Sequence, residues 1–208
     1  MFFDLSNAPG FKRSIFNAIV APRPIGWISS MSAEGRVNLA PFSHFNLVST
    51  APPVLIFSCN TPADRPEKDS IANVRATGEF VYNLVTRELV EAMNATSAPV
   101  PRGVDEFELA GLEKAACNQV RPPRVKASPA AFECKLLRFV EIEPERPGDT
   151  ASTVVFGRII GVHIADGFLD DKGRFDTARA RPMTRLGGIQ YAESGTIFEL
   201  PSAFTKVA

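Results

Sequence analysis

Seventeen prolines and fourteen glycines are spread along 208 residues, and this punctuation limits what the chain can build more than any other feature. Proline removes a backbone donor and glycine costs helix stability, so long helices do not fit between breaks this frequent. Between the breaks lie short runs rich in β-branched and aromatic residues, the composition of strands. Ile25 to Met31 reads as one strand, Ser32-Ala33-Glu34-Gly35 as turn chemistry, and Arg36 to Ala40 as the returning arm of a hairpin. Phe42 to Ser49 is strand-like without a clean apolar face, and Ala51-Pro52-Pro53 breaks the chain after it. Val54 to Ser58 is a continuous apolar run, which predicts a strand covered on both faces.

Asn60 to Pro66 reads as a loop leading into a helix over Glu67 to Thr77. Ile71 and Val74 share a face there, and Gly78 suits the position just past the end. Phe80 to Val85 is the next strand. Thr86 is placed to cap a helix reaching Met93 or Asn94, with Leu89, Val90 and Met93 on one side. Ala95 to Ser128 mixes prolines, charges and one short helix near Val104 to Phe107. It reads as an excursion from the body of the fold, serving as a lid or a partner contact. Long strands are expected at Phe132 to Ile142 and Thr153 to Ala165, joined by a polar hairpin loop. Asp170-Asp171-Lys172-Gly173 is a turn, and Thr196 to Leu200 is a short strand-like run.

Short strands, tight turns and few helices predict a mainly β protein, a small closed barrel with a few helices, forming a single domain over residues 1–208. An open α+β sheet is the alternative. No G-x-G-x-x-G follows a strand, so a Rossmann nucleotide site is not supported.

Charge excludes further classes. Lys+Arg and Asp+Glu are both 23, and a balanced surface gives no electrostatic reason to expect nucleic acid or an anionic membrane. Cys59, Cys117 and Cys134 stand far apart and only His44 and His163 are available, so no metal-ligand spacing is present and no metal is expected. No stretch approaches the ~20 apolar residues of a membrane span. The first residues lack the basic start and apolar run of a signal peptide. The sparse, odd cysteine count fits a reducing compartment, and the expected location is the cytoplasm.

Arg23-Pro24-Ile25-Gly26-Trp27-Ile28-Ser29-Ser30 is followed by Asn38-Leu39-Ala40-Pro41-Phe42-Ser43-His44-Phe45-Asn46. Then come Pro52-Pro53, Lys68-Asp69-Ser70 with Asn73, and Gly78-Glu79-Phe80-Val81. Later, Phe156-Gly157-Arg158-Ile159 precedes His163, and Arg185-Leu186-Gly187-Gly188 precedes Tyr191. In this order and spacing the segments resemble the flavin reductase-like family, from about Pro22 to about Tyr191. The resemblance implies an FMN-binding split barrel of Greek-key type, related to flavoredoxins. It implies a homodimer with FMN, or less often FAD, near the subunit interface. Some members reduce flavin with NADH or NADPH and release it to a partner monooxygenase. Others keep the flavin and pass electrons to a redox protein, and a non-catalytic flavin-binding module is a third reading.

A flavin requires a phosphate cradle, a surface for the ring and polar groups at the ring edge. Lys68, Asp69 and Ser70 lie where a loop enters a helix. Amides at a helix start attract anions, a hydroxyl adds a donor and Lys adds charge. The local sequence alone favours simple capping by Asp69 or Ser70; the resemblance favours phosphate. Ser29 and Asn60 resemble family positions near the phosphate or ribityl chain. Phe42, Ser43 and His44 resemble the segment whose backbone lies along the ring edge, whereas Phe42 and Phe45 read locally as core. Trp27, next to Ile28, either stacks near the flavin or fills the core. Arg185 either reaches a flavin or nicotinamide phosphate or stands exposed beside a turn. His163 reads as a packing or hydrogen-bonding residue and Cys59 as a buried one, so no catalytic side chain is identified.

Overall fold

A computed structural model describes residues 1–6 and 10–200 of the chain. After a short helix, α1 (Ser14–Ile19), and a two-residue strand, β1 (Arg23–Pro24), comes the expected hairpin, β2 (Gly26–Met31) and β3 (Val37–Phe42). Its turn holds Gly35 at φ +88°, a conformation that strains any side chain. The strand-like run from Phe42 is divided. Ser43 is a bend, and β4 (His44–Thr50) begins after it, followed by β5 (Pro53–Asn60). Lys68 remains extended, so helix α2 (Asp69–Thr77) starts two residues later than the pattern suggests. It ends on Gly78 at φ +70°, whose N–H donates to Val74 O. β6 (Glu79–Asn83) follows.

Thr86 precedes a 3₁₀ turn (Arg87–Leu89) and α3 (Val90–Ala95), but its side chain makes no capping bond. The 95–128 segment carries α4 (Glu106–Leu109), capped by Asp105, and a small ribbon of β7 (Lys114–Ala115) and β8 (Arg124–Val125). The long pair is β9 (Ala130–Ile142) and β10 (Ser152–Ile164). Then come α5 (Thr177–Ala180), β11 (Met183–Arg185) and β12 (Tyr191–Glu193). Thr196 to Leu200 is not a strand. It pairs with no described strand and leaves Ile197, Phe198 and Leu200 exposed. Apolar content without a ladder to join does not make a strand.

Seven strands form one antiparallel sheet in the order β3-β2-β6-β9-β10-β5-β4. β5 lies beside β10 rather than beside β6, a Greek-key arrangement. The two edge strands, β3 and β4, are separated in the chain by Ser43 alone. Laid flat, six spacings of about 4.8 Å would set them roughly 29 Å apart, against the ~7 Å that the Cα atoms of Phe42 and His44 can span. The sheet must therefore curl until its edges meet at Ser43, a barrel left split along the β3–β4 seam.

Inside the curl pack Ile28, Phe42, Leu55, Phe57, Ile71, Val74, Phe80 and Tyr82. A second core covers the outer side of β2 and β3, built from Trp27, Leu39, Val85, Met93, Phe107, Val125 and Met183. Trp27 and Ile28 alternate along β2, so one enters each core. The second core draws Phe107 and Val125 from the 95–128 segment, which is packed onto the barrel rather than detached from it.

Candidate functional site

The exposed flank of β3 is the wall of a long groove. Toward α2 its cavity measures about 420 Å³. It is bounded by Asn38, Ala40 and Pro41 of β3, by Arg65, Lys68, Asp69 and Ser70, and on the far side by Thr96 to Val100 and Glu106. Toward β11 it opens into about 550 Å³, lined by Ser43, Met93, Asn94, Arg185 and Tyr191 among others. Pro41 and Ser97 belong to both parts, so the two are continuous. Each falls in the size range of small-molecule sites. Proline suits this position, because an edge strand needs no outward N–H from it.

The α2 end brings Arg65 and Lys68 beside the carboxylates of Asp64, Asp69 and Glu106 at a helix start. Lys68 occupies the capping position without a side-chain cap, so neither Asp69 nor Ser70 closes the helix in the way local capping would require. First-turn amides then remain as donors at the positive end of the helix. Ser70 is fully buried and its hydroxyl accepts from Asn38 Nδ2 at 2.8 Å. The Lys68 ammonium lies 5.8 Å from the Phe42 ring centroid. Asp69 Oδ1 is buried without a hydrogen bond, facing Arg102 Nε at 3.3 Å and Arg65 Nη1 at 3.7 Å. At the other end the Arg185 guanidinium stacks on the Tyr191 ring at 4.3 Å, and Arg185 also donates to Gly188 O. The described residues thus place cationic groups at both ends, with Pro41, Ser43 and Ser97 between them.

Lys68, Asp69, Ser70, Ser43 and Arg185 share this groove, although 142 positions separate Ser43 from Arg185. Other candidates do not reach it. Trp27, Ile28 and Ser29 are fully buried, because the outer core and the 95–128 segment cover a strand whose other side faces the barrel interior. The Trp27 Nε1–H donates to Thr96 Oγ1 at 2.9 Å, and the Ser29 hydroxyl donates to Pro123 O. None of these three side chains offers a surface to a ligand. Phe42 is core, packed on Phe57. Asn60 closes β5, its Oδ1 accepting from Ser152 Oγ at 2.8 Å, and does not line the groove. His44 is exposed beside Asn17 Oδ1 at 3.2 Å. Desolvation and the Arg23 guanidinium lower its pKa, which keeps the imidazole neutral at pH 7.

Sequence reasoning missed Arg65, Ser97 and Glu106. Arg65 carried a faint signal, a cation three residues before Lys68. Glu106 carried none, because its partner lies 67 positions away. Its carboxylate is buried and accepts the N–H of Leu39, an outward-facing amide of β3, at 2.9 Å. Burial, joined by the charges of Asp69 and Asp105, raises the Glu106 pKa despite that bond.

Away from the groove, Cys59 is buried and its thiol is pushed up to about 11, so it stays protonated at neutral pH. His163 Nε2 lies 2.6 Å from Glu133 Oε1, which makes it the hydrogen-bonding residue expected. Cys117, Glu133 and His163, distant in sequence, bring donor atoms within 4.8 Å of one another. Both oxygens of Glu133 are already occupied by the N–H groups of Asn118, Gln119 and Val120, and the cluster works as a hydrogen-bond hub.

Comparison with known proteins matches this architecture. The model of the flavin reductase like domain matches residues 20–179. An uncharacterized protein of Aquifex aeolicus is 39% identical over 176 residues, 85% of this chain and 86% of that one. Nitrilotriacetate monooxygenase component B from Bacillus cereus superposes with a TM-score of 0.85 at 30% identity, covering 96% of this chain and all of the other. A protein with a split barrel domain from Shewanella frigidimarina superposes at 0.83 with 21% identity, covering 98% of this chain and 100% of that one, which establishes the fold as a split barrel. Among the described residues, no helix is long and apolar enough to cross a membrane.

Proposed function

The chain belongs to the flavin reductase-like family, and on that premise we propose that it binds FMN in the β3-edge groove and reduces it with NADH or NADPH. In this reading the whole chain is one such unit with 95–128 as its excursion, acting as a cytoplasmic homodimer and supplying reduced flavin to a partner monooxygenase. The observation that carries the proposal is the convergence of Lys68, Ser70 and the uncapped start of α2 on the same groove as Ser43. The donor set fits a phosphorylated, flat ligand: cations and amides for the phosphate, and a strand edge along which a ring can lie.

Lys68 and Arg65 bind the phosphate, aided by the α2 amides and the Ser70 hydroxyl. Ser43 and its neighbours along β3 face the ring edge. Bound FMN supplies the capacity to accept a hydride. The residues of this chain orient it and shield one side from water, which is what hydride transfer chiefly requires, since alignment rather than an acid controls that step. Arg185, at the far end, takes an anionic part of the electron donor. Partner supply is supported by the likeness to a monooxygenase component B.

The test is nicotinamide oxidation followed at 340 nm with and without added FMN. The expected result is turnover that saturates with FMN and stops without it. No acceleration over free flavin with either nicotinamide would overturn the reading. A protein that stays yellow through dialysis and oxidises neither nicotinamide would instead be a carrier.

A further inference from the structure

Residues 97–105 form an exposed strap along the outer side of the groove, with only Val100 and Asp105 half-buried. Both ends of the strap are pinned to buried groups. At one end Thr96 Oγ1 accepts from Trp27 Nε1 at 2.9 Å and donates to Met93 O at 2.7 Å. At the other, Glu106 accepts from the Leu39 amide of β3. The first pin is neutral and closed on both sides. The second is made by a buried carboxylate that accepts the Leu39 amide and its own backbone N–H beside two other acids. Between the pins, the described strap touches the opposite wall through the Arg102–Asp69 pair, in which the Arg102 side chain is 62% exposed and therefore weakly held.

We propose that the 97–105 strap is a clasp across the groove and that Glu106 is the positioning residue that latches it, setting how long a bound flavin stays. The inference rests on the reading that FMN occupies the groove. Thr96 to Val100 and Glu106 supply the outer wall of the 420 Å³ cavity, and β3 with α2 supplies the inner one. A ligand seated between them leaves only if the walls part. The Trp27–Thr96 pin lies in the packed outer core and does not yield without disturbing it. The Glu106–Leu39 bond joins the strap to an edge strand, whose outward amides have no ladder to fall back on, and Phe107 beside it anchors α4 in the outer core, so opening swings 97–105 about that end and breaks this bond together with the Arg102–Asp69 pair. Loosening the latch therefore speeds dissociation.

The experiment follows FMN fluorescence on release from the purified protein. Glu106→Ala removes the acceptor, and the dissociation rate is expected to rise roughly tenfold, the effect of one hydrogen bond to a charged group. Glu106→Gln keeps an oxygen for Leu39 and is expected to stay within about twofold of the parent protein. Glu106→Asp keeps the charge, draws the carboxylate back by one methylene and gives an intermediate rate; it serves if the alanine variant does not fold. Equal dissociation rates across the series would overturn the proposal. Hydrogen exchange at the Leu39 amide, measured without FMN, separates this outcome from failure of the binding reading. If the parent protein takes up no FMN, the groove assignment falls. The latch then stands only if Leu39 exchanges faster in Glu106→Ala but not in Glu106→Gln, and unchanged exchange overturns it too.

Discussion

The two ends of the 95–128 segment are each tied to the barrel by a buried glutamate, and they are tied in opposite ways. Glu133 of β9 receives the N–H groups of Asn118, Gln119 and Val120 and the ring of His163. Burial alone would raise its pKa, but the converging donors outweigh that and lower it. Glu106 receives the N–H of Leu39 and its own backbone N–H, sits near Asp69 and Asp105, and its pKa is raised. A buried carboxylate reached by donors from several residues of another segment fixes the backbone around it, whereas one with few donors and acids beside it remains poorly compensated. The 117–121 limb is thus held rigidly to the sheet, while the 97–105 strap is held lightly beside the groove.

The largest expected effect breaks the rigid end. Glu133→Ala strips three amides and His163 of their acceptor and is expected to cost about 3–5 kcal/mol of folding stability. Denaturant unfolding checks it; a loss below about 1 kcal/mol would mean the limb is held by packing instead. Next comes the inner wall of the groove. Lys68→Ala is expected to weaken FMN binding by about tenfold or more, in line with loss of a charge-assisted contact, with little change in melting temperature. Calorimetric titration measures this, and unchanged affinity would place the phosphate elsewhere.

A smaller loss, about 1 kcal/mol, is expected for His163→Gln, because Glu133 keeps its three backbone donors when the ring is replaced. The last test reads only a slope. The folded-state pKa of Glu133 is depressed, so its contribution is present above the ordinary value of 4.5 and is lost as pH falls through the folded value. The folded-state pKa of Glu106 is raised, so its contribution is present below 4.5 and is lost as pH rises through the folded value. Relative to the parent protein, Glu133→Gln should therefore grow less stable as pH rises toward 4.5, and Glu106→Gln more stable as pH rises above it. Parallel slopes in urea unfolding would erase the contrast.

Much of the scaffold was legible in the chain because its signals are local. The hairpin around Gly35, the helix closed by Gly78 and the long β9–β10 pair follow from turn chemistry and alternation within a dozen residues. Lys68, Ser70 and Ser43 were singled out through family resemblance, and all three line the same groove. Trp27, for which core filling was one of two readings, and Ser29 are buried away from the groove for a nonlocal reason. A strand pattern shows that residues alternate between faces. It does not show that a segment 69 or 94 residues further on covers the outer face and takes up both polar groups. Thr196 to Leu200 failed for the complementary reason, since β-propensity does not supply a neighbouring edge.

By itself the sequence determined the strands, the turns, the helix that begins beside the groove and the family, because these depend on spacing between near neighbours. Tertiary structure alone decided that the sheet splits at Ser43, that the outer face of β2 is sealed, and that Glu106 and Glu133 divide the excursion into a loose strap and a fixed limb. Those outcomes depend on which backbone amides meet which carboxylates across separations of 13 to 67 residues, and a buried charge is stabilised by the donors that reach it, not by the residues beside it in the chain.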